Sequence, residues 1–145
     1  MMKILILNGP NLNLLEKRES GNYGSLSLKE ISDSLRTEFN DVDFNFFQSN
    51  SEGELIGAVQ NADNYDGIII NPGGLTHTSV GLRDALEMLA IPKIEVHLSN
   101  LSSREDFRKN LITTSRVSGY VSGFKDISYS AAVYALKKLI QKKQY

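Results

Sequence analysis

Apolar residues along the chain fall into short runs, separated by segments in which they recur every three or four positions. Ile4-Leu5-Ile6-Leu7, Ile68-Ile69-Ile70 and Ile94 to Leu98 are short and rich in β-forming side chains. The first two are continuously apolar, as strands buried on both faces should be. Val42, Phe44 and Phe46 alternate with Asp43 and Asn45, which predicts a strand nearer a sheet edge. Val117 to Val121, interrupted by Gly119, carries the faintest strand signal. Between these runs, helical spacing links Leu28, Ile31, Leu35 and Phe39, then Leu55, Ile56 and Val59, and then Leu82, Ala85, Leu86 and Leu89. Tyr129, Ala132, Val133, Leu136 and Ile140 make the last helix.

Ser27-x-x-Glu30, Ser51-x-x-Glu54 and Ser102-x-x-Glu105 have the form of capping boxes, in which two side chains satisfy unpaired backbone donors at a helix start. Each predicts where a helix begins. Five strands alternating with five helices read as a three-layer α/β domain over residues 1–145, with a parallel sheet in the flavodoxin-like order 2-1-3-4-5. The stretch from Gly9 to Leu26 has neither period. A structureless connection longer than about 12–15 residues in a compact domain is usually a lid or a binding loop.

Charge and composition narrow the function classes. Sixteen Lys and Arg against seventeen Asp and Glu give a net charge of -1, so there is no long-range field to steer nucleic acid or an anionic membrane. Neither is expected as a partner. With no Cys, the chain lacks disulfides, thiolate nucleophiles and thiolate-ligated metal. Met1-Met2-Lys3 precedes too short an apolar run for a signal peptide, so the cytoplasm is the expected compartment.

In an open parallel sheet, ligands bind beyond the carboxyl ends of the strands, where strand order reverses. The first strand there runs into Asn8-Gly9-Pro10-Asn11, and the third into Asn71-Pro72-Gly73-Gly74 followed by Thr76-His77-Thr78-Ser79. The fourth ends Glu95-Val96-His97-Leu98-Ser99-Asn100. The chain's only histidines, 2 in number, therefore converge on one edge of the sheet. Glu95 and His97 lie two apart on one strand and share a face. That pattern suits a carboxylate orienting an imidazole, or, with His77, a metal triad of two His and one carboxylate. No phosphate-binding loop, dinucleotide fingerprint or nucleophile elbow is present. A metal-dependent hydrolase and a non-catalytic binding module stand as alternatives to a cofactor-free enzyme.

Asn8-Gly9-Pro10-Asn11-Leu12-Asn13-Leu14-Leu15, Gln48-Ser49-Asn50-Ser51-Glu52-Gly53-Glu54, Asn71 to Ser79, Glu95 to Asn100 and Arg104-Glu105-Asp106-Phe107-Arg108 closely resemble the type II 3-dehydroquinate dehydratases. The resemblance implies a flavodoxin-like lyase of the shikimate pathway, using no cofactor or metal and assembled as a dodecamer of four trimers. Its reaction is anti elimination of water from 3-dehydroquinate through an enolate, giving 3-dehydroshikimate. By the same resemblance Tyr23 is the base, Arg18 favours its phenolate, and Asn11 helps hold a water that stabilises the enolate. A free Tyr has a pKa of about 10, so reaching the phenolate at pH 7 costs roughly 4 kcal/mol unless a nearby cation lowers it. His97 corresponds to the general acid, oriented and kept protonated by Glu95. Asn71, His77 and Arg108 correspond to binders of the ring hydroxyls, and Leu98 and Ser99 to binders of the carboxylate. Asp84 corresponds to a residue reaching a neighbouring subunit's site. Glu16, Ser20 and Leu111 depart from the family's usual residues, as does Phe124-Lys125-Asp126-Ile127-Ser128, which replaces a Gly-rich turn.

Overall fold

The computed structural model describes residues 1–145. Its strands are β1 (Met2–Asn8), β2 (Val42–Gln48), β3 (Gly67–Asn71), β4 (Lys93–His97) and β5 (Gly119–Ser122). They form a 5-stranded sheet of order β2-β1-β3-β4-β5 in which every pairing is parallel. The expected flavodoxin-like topology is therefore present, with the alternating Val42–Phe46 segment on one edge and the faint fifth strand on the other. No helix is long and apolar enough to cross a membrane.

Alternation along the buried strands builds the layers. Ile4 and Ile6 face one side of the sheet, where they pack with Ile31 and Leu35 of α2 (Leu28–Glu38) and with Tyr129, Ala132, Val133 and Leu136 of α5 (Ile127–Lys142). Leu5 and Leu7 face the other side, against Leu55 and Val59 of α3 (Glu52–Gln60) and Leu82, Ala85 and Leu86 of α4 (Val80–Met88). A period of two on the strands thus meets a period of 3.6 on the helices twice, once per face.

The cap signals fared unequally. Ser27 and Glu30 form the full reciprocal box at the start of α2. Ser51 accepts the Glu54 N–H, but the Glu54 carboxylate turns to the Ser49 hydroxyl at 2.9 Å, so only half a box forms. Ser102 caps nothing. Asn100 accepts the Ser102 N–H, and the segment runs on as short 3-10 turns at Leu101–Ser103, Asp106–Lys109 and Thr113–Arg116. The fifth long helix predicted after β4 is therefore absent. Apolar spacing explains this, because Ser102 to Asp106 are all polar and the first turns of such a helix would have nothing to bury.

The connection after β1 also differs from a plain loop. It forms a 3-10 turn at Leu12–Lys17 and the short helix α1 (Ser20–Tyr23), anchored by buried Leu12, Leu15 and Tyr23. Ser20 opens α1, which needs no proline there. Near the C-terminus, Gly123 and Lys125 take the positive φ values of the turn, 106° and 53°, in place of a Gly-rich sequence.

Candidate active site

The carboxyl ends of β1, β3 and β4 open into a narrow cleft. Its floor is backbone against backbone. The Gly9 N–H donates to the Asn71 carbonyl at 2.8 Å, and a Cβ on Gly9 would stand 2.5 Å from the Pro72 carbonyl oxygen. Gly73 lies opposite with φ +61°, a conformation that disfavours residues with a Cβ. The block Gln48-Ser49-Asn50 braces this turn from β2: Gln48 Nε2 donates to the Gly9 carbonyl at 3.2 Å, and Asn50 Oδ1 accepts the Asn11 N–H at 3.0 Å.

Above the floor the walls carry the titratable groups. Arg18, Tyr23, Asn71, His77, His97, Leu98, Ser99 and Arg108 all line the cleft. Arg104 lines it too, and sequence reasoning gave that residue no role. Arg18 Nη2 and Arg104 Nη1 each donate to the Tyr23 phenolic oxygen at 2.5 Å. The Arg18 guanidinium also stacks on the Tyr23 ring, 3.8 Å from its centroid. Burial lowers the pKa of Arg18, opposed by attraction to Tyr23. A phenolic oxygen facing two guanidinium groups sits where negative charge is best accommodated. The Arg104 Nη1 continues to the Ser99 hydroxyl at 3.2 Å, joining this cluster to the end of β4.

Across the cleft, His97 Nε2 donates to Glu95 Oε2 at 2.7 Å, and the carboxylate is fully buried beneath the ring. Glu95 and His97 thus meet each other, and no group of three His, Cys, Asp or Glu side chains is arranged to hold a metal ion. A buried carboxylate bonded to a ring nitrogen can hold an imidazole in one orientation.

Two further side chains present a defined polarity. Asn71 Oδ1 accepts the Gly73 N–H at 3.1 Å, and Nδ2 donates to the hydroxyl of Tyr129 at 3.0 Å. What Asn71 has left for a ligand is its second amide hydrogen and one lone pair of Oδ1. Tyr129 reaches this point from the first turn of α5 and donates to Asn8 Oδ1 at 2.5 Å. Burial raises its pKa far above the usual tyrosine range, so it serves as a neutral donor and acceptor.

His77 is the complement of Asn71. Its Nδ1–H donates to the Asn110 carbonyl at 2.9 Å, while Nε2 is buried with no partner. The tautomer set by Asn110 leaves Nε2 as an acceptor for a ligand hydroxyl. Burial chiefly, with His97 and Arg108 nearby, pushes its pKa below the usual 6.5. Above pH 6.5 both folded and unfolded chains carry a neutral imidazole there, so the group contributes nothing. As pH falls through 6.5 the unfolded chain gains a proton that the folded one resists, and stability drops until the lowered folded pKa is passed. His77→Gln is expected to lose less stability than the wild type between pH 7.5 and pH 5, read from denaturant midpoints. An equal loss in both would show that His77 does not carry this slope.

Besides the fully buried Glu95, two predicted residues lie outside the cleft lining. Asn11 is exposed at its rim with φ 71°, next to the lining residue Leu12. Asp84 is on α4, where its carboxylate accepts from Arg83 Nη1 at 2.7 Å.

Comparison with known proteins identifies the family. The family described as Dehydroquinase class II matches residues 2–137. A 3-dehydroquinate dehydratase of Prochlorococcus marinus is 48% identical over 144 residues, covering 97% of this chain and 99% of its own. One from Caldicellulosiruptor saccharolyticus is 46% identical with the same coverage. The crystal structure of a type II dehydroquinase from Butyrivibrio crossotus superposes with a TM-score of 0.90 at 39% identity, covering 94% of this chain and 97% of that one. With the family matched over residues 2–137 and relatives nearly half identical along almost the whole length, the chain belongs to the class II dehydroquinase family.

Proposed function

We propose that this chain dehydrates 3-dehydroquinate to 3-dehydroshikimate by anti elimination through an enolate, as a lyase of the shikimate pathway serving aromatic amino-acid biosynthesis in the cytoplasm. The observation that carries the mechanism is the pairing of two arginines on the Tyr23 oxygen, across one cleft from the Glu95–His97 pair. The Tyr23 oxygen, as phenolate between Arg18 and Arg104, takes the proton next to the ketone. The developing enolate oxygen is met by a water held at Asn11, an oxyanion-type role. His97 then gives a proton to the departing hydroxyl, which leaves as water, and Glu95 holds the imidazole for that transfer.

Binding follows the same polarity. His77 accepts from one ring hydroxyl, Asn71 donates to another oxygen, and Arg108 contributes charge. The substrate carboxylate lies at the end of β4, against the backbone N–H groups of Leu98 and Ser99 and the Ser99 hydroxyl. All proton transfers fall to side chains of the protein, with no metal or cofactor. The family's dodecamer of four trimers is proposed for this chain as well, with Asp84 completing a neighbour's site. Exposed apolar Val80 and Met88, on the same helix as Asp84, fit a covered surface there. A mass measurement in solution tests the assembly.

The direct test of activity is incubation of the purified protein with 3-dehydroquinate. The product's conjugated enone carboxylate absorbs in the ultraviolet where the substrate does not, so absorbance should rise with time and enzyme concentration. A flat trace from folded protein would overturn the proposal.

A further inference from the structure

Glu95 lies in a cage of hydroxyl groups that neither the family resemblance nor the reaction scheme above accounts for. Thr113 Oγ1 is 2.6 Å from Glu95 Oε1, and Thr114 Oγ1 is hydrogen-bonded to Glu95 Oε2, the same oxygen that accepts His97 Nε2–H. Thr113 is also 3.2 Å from Thr76 Oγ1, and Thr76 is 3.5 Å from His97 Nε2. Glu95, Thr76 and Thr113 are all fully buried.

Each hydroxyl has one proton, so the direction of every bond can be assigned. Thr113 sends its proton to the carboxylate, the shorter contact and the stronger acceptor. Its lone pair is then free to accept the Thr76 proton. His97 Nε2 already donates to Glu95, so it offers nothing to Thr76. The carboxylate consequently accepts at every contact, with Thr113 on one oxygen and Thr114 and His97 on the other. A glutamate terminal torsion is otherwise broad and soft. Held at both oxygens, this one cannot swing, and the imidazole bonded to it cannot turn its plane.

We infer that Thr113 and Thr114 are positioning residues for the elimination: through Glu95 they fix the orientation of the His97 ring. Both stand on the 3-10 turn that follows the segment bearing Arg104 and Arg108. That turn therefore ties the acid side of the cleft to the segment that supplies its cations. The inference rests on His97 being the acid.

The test uses Thr113→Val, which keeps the side-chain shape, together with Thr113→Ser, which keeps the hydroxyl. Loss of a hydrogen bond to a buried charge predicts a kcat lower by about tenfold or more, with KM little changed. Thr113→Ser should recover most of it. In histidine-labelled protein, the His97 Nε2–H proton resonance should move or broaden in Thr113→Val and return in Thr113→Ser. If Thr113 acts through Glu95, Thr113→Val should add no further loss in a Glu95→Gln background. A merely structural threonine would lower kcat equally in both backgrounds and leave the resonance in place, and that result would overturn the inference. Should Thr113→Val not fold, Thr114→Val at its half-buried position carries the same measurements. His97→Ala separates the two levels. If it keeps turnover, the acid assignment falls and the positioning role with it. If it loses turnover while Thr113→Val and Thr114→Val keep theirs, the positioning role alone falls.

Discussion

Tyr23→Phe is expected to lower kcat by about a thousandfold, within the range that general acid–base groups contribute, while leaving the fold intact. The substitution removes a single oxygen. The ring that remains belongs to the larger core cluster, where Tyr23 is only 8% exposed alongside Leu12 and Leu15. Packing of the segment between β1 and α2 is thus kept, and the Arg18 guanidinium still has a ring face to rest on. What disappears is the acceptor shared by Arg18 and Arg104. Substrate affinity should change far less than kcat, because the cleft keeps its cations and its Asn71 and His77 contacts. Circular dichroism and thermal midpoint check the fold, and the ultraviolet dehydration assay checks turnover. Near-normal turnover in folded Tyr23→Phe would mean that another group takes the proton.

The second large effect concerns the arginines. Arg18→Ala and Arg104→Ala each remove one charge-assisted donor to the phenolic oxygen. Hydrogen bonds to charged groups are worth about 1.5–3 kcal/mol, so each variant should lose roughly ten- to a hundredfold in kcat. Because both act on one atom, the double variant is expected to approach Tyr23→Phe without exceeding it, a non-additive outcome. Lysine cannot reproduce the planar donor set, so Arg18→Lys should recover only part of the loss. Reliance on Arg18 alone would show as normal kcat in Arg104→Ala. That would contradict the symmetry of the two 2.5 Å contacts.

Much of this architecture could be read in the chain itself. Continuous runs such as Ile68-Ile69-Ile70 mark strands covered on both faces, and they place the polar turns that follow them at one sheet edge. That alone brought His77, His97, Asn71 and the Gly9 turn together. The roles of Tyr23, Arg18 and Arg108 came from resemblance to a family, since no local period marks them. Arg104 escaped because its partner lies 81 positions away and a surface-type arginine gives no sign of facing inward. The threonines escaped for a related reason: Thr113 and Glu95 meet only once β4 and the turns after it are folded. Ser102-x-x-Glu105 misled in the opposite direction. Its glutamate pairs with Arg104 and Arg108 instead of returning to a helix start, and with no apolar residue from Ser102 to Asp106 no helix followed.

The backbone floor under the cleft has a consequence for any attempt to retune this protein. Between Gly9 and Pro72 there is no space for even a methyl group, so this part of the site behaves as an anvil that offers the engineer nothing to adjust. Variation that reshapes ligand choice has to come from the rim: the segment carrying Arg18 and Tyr23, and the turns carrying Arg104 and Arg108. Libraries directed at exposed positions there, such as Glu16, Lys17 and Glu105, would explore new shapes at small cost to folding, whereas libraries directed at the Gly9 and Gly73 turns would spend most of their members on chains that no longer close.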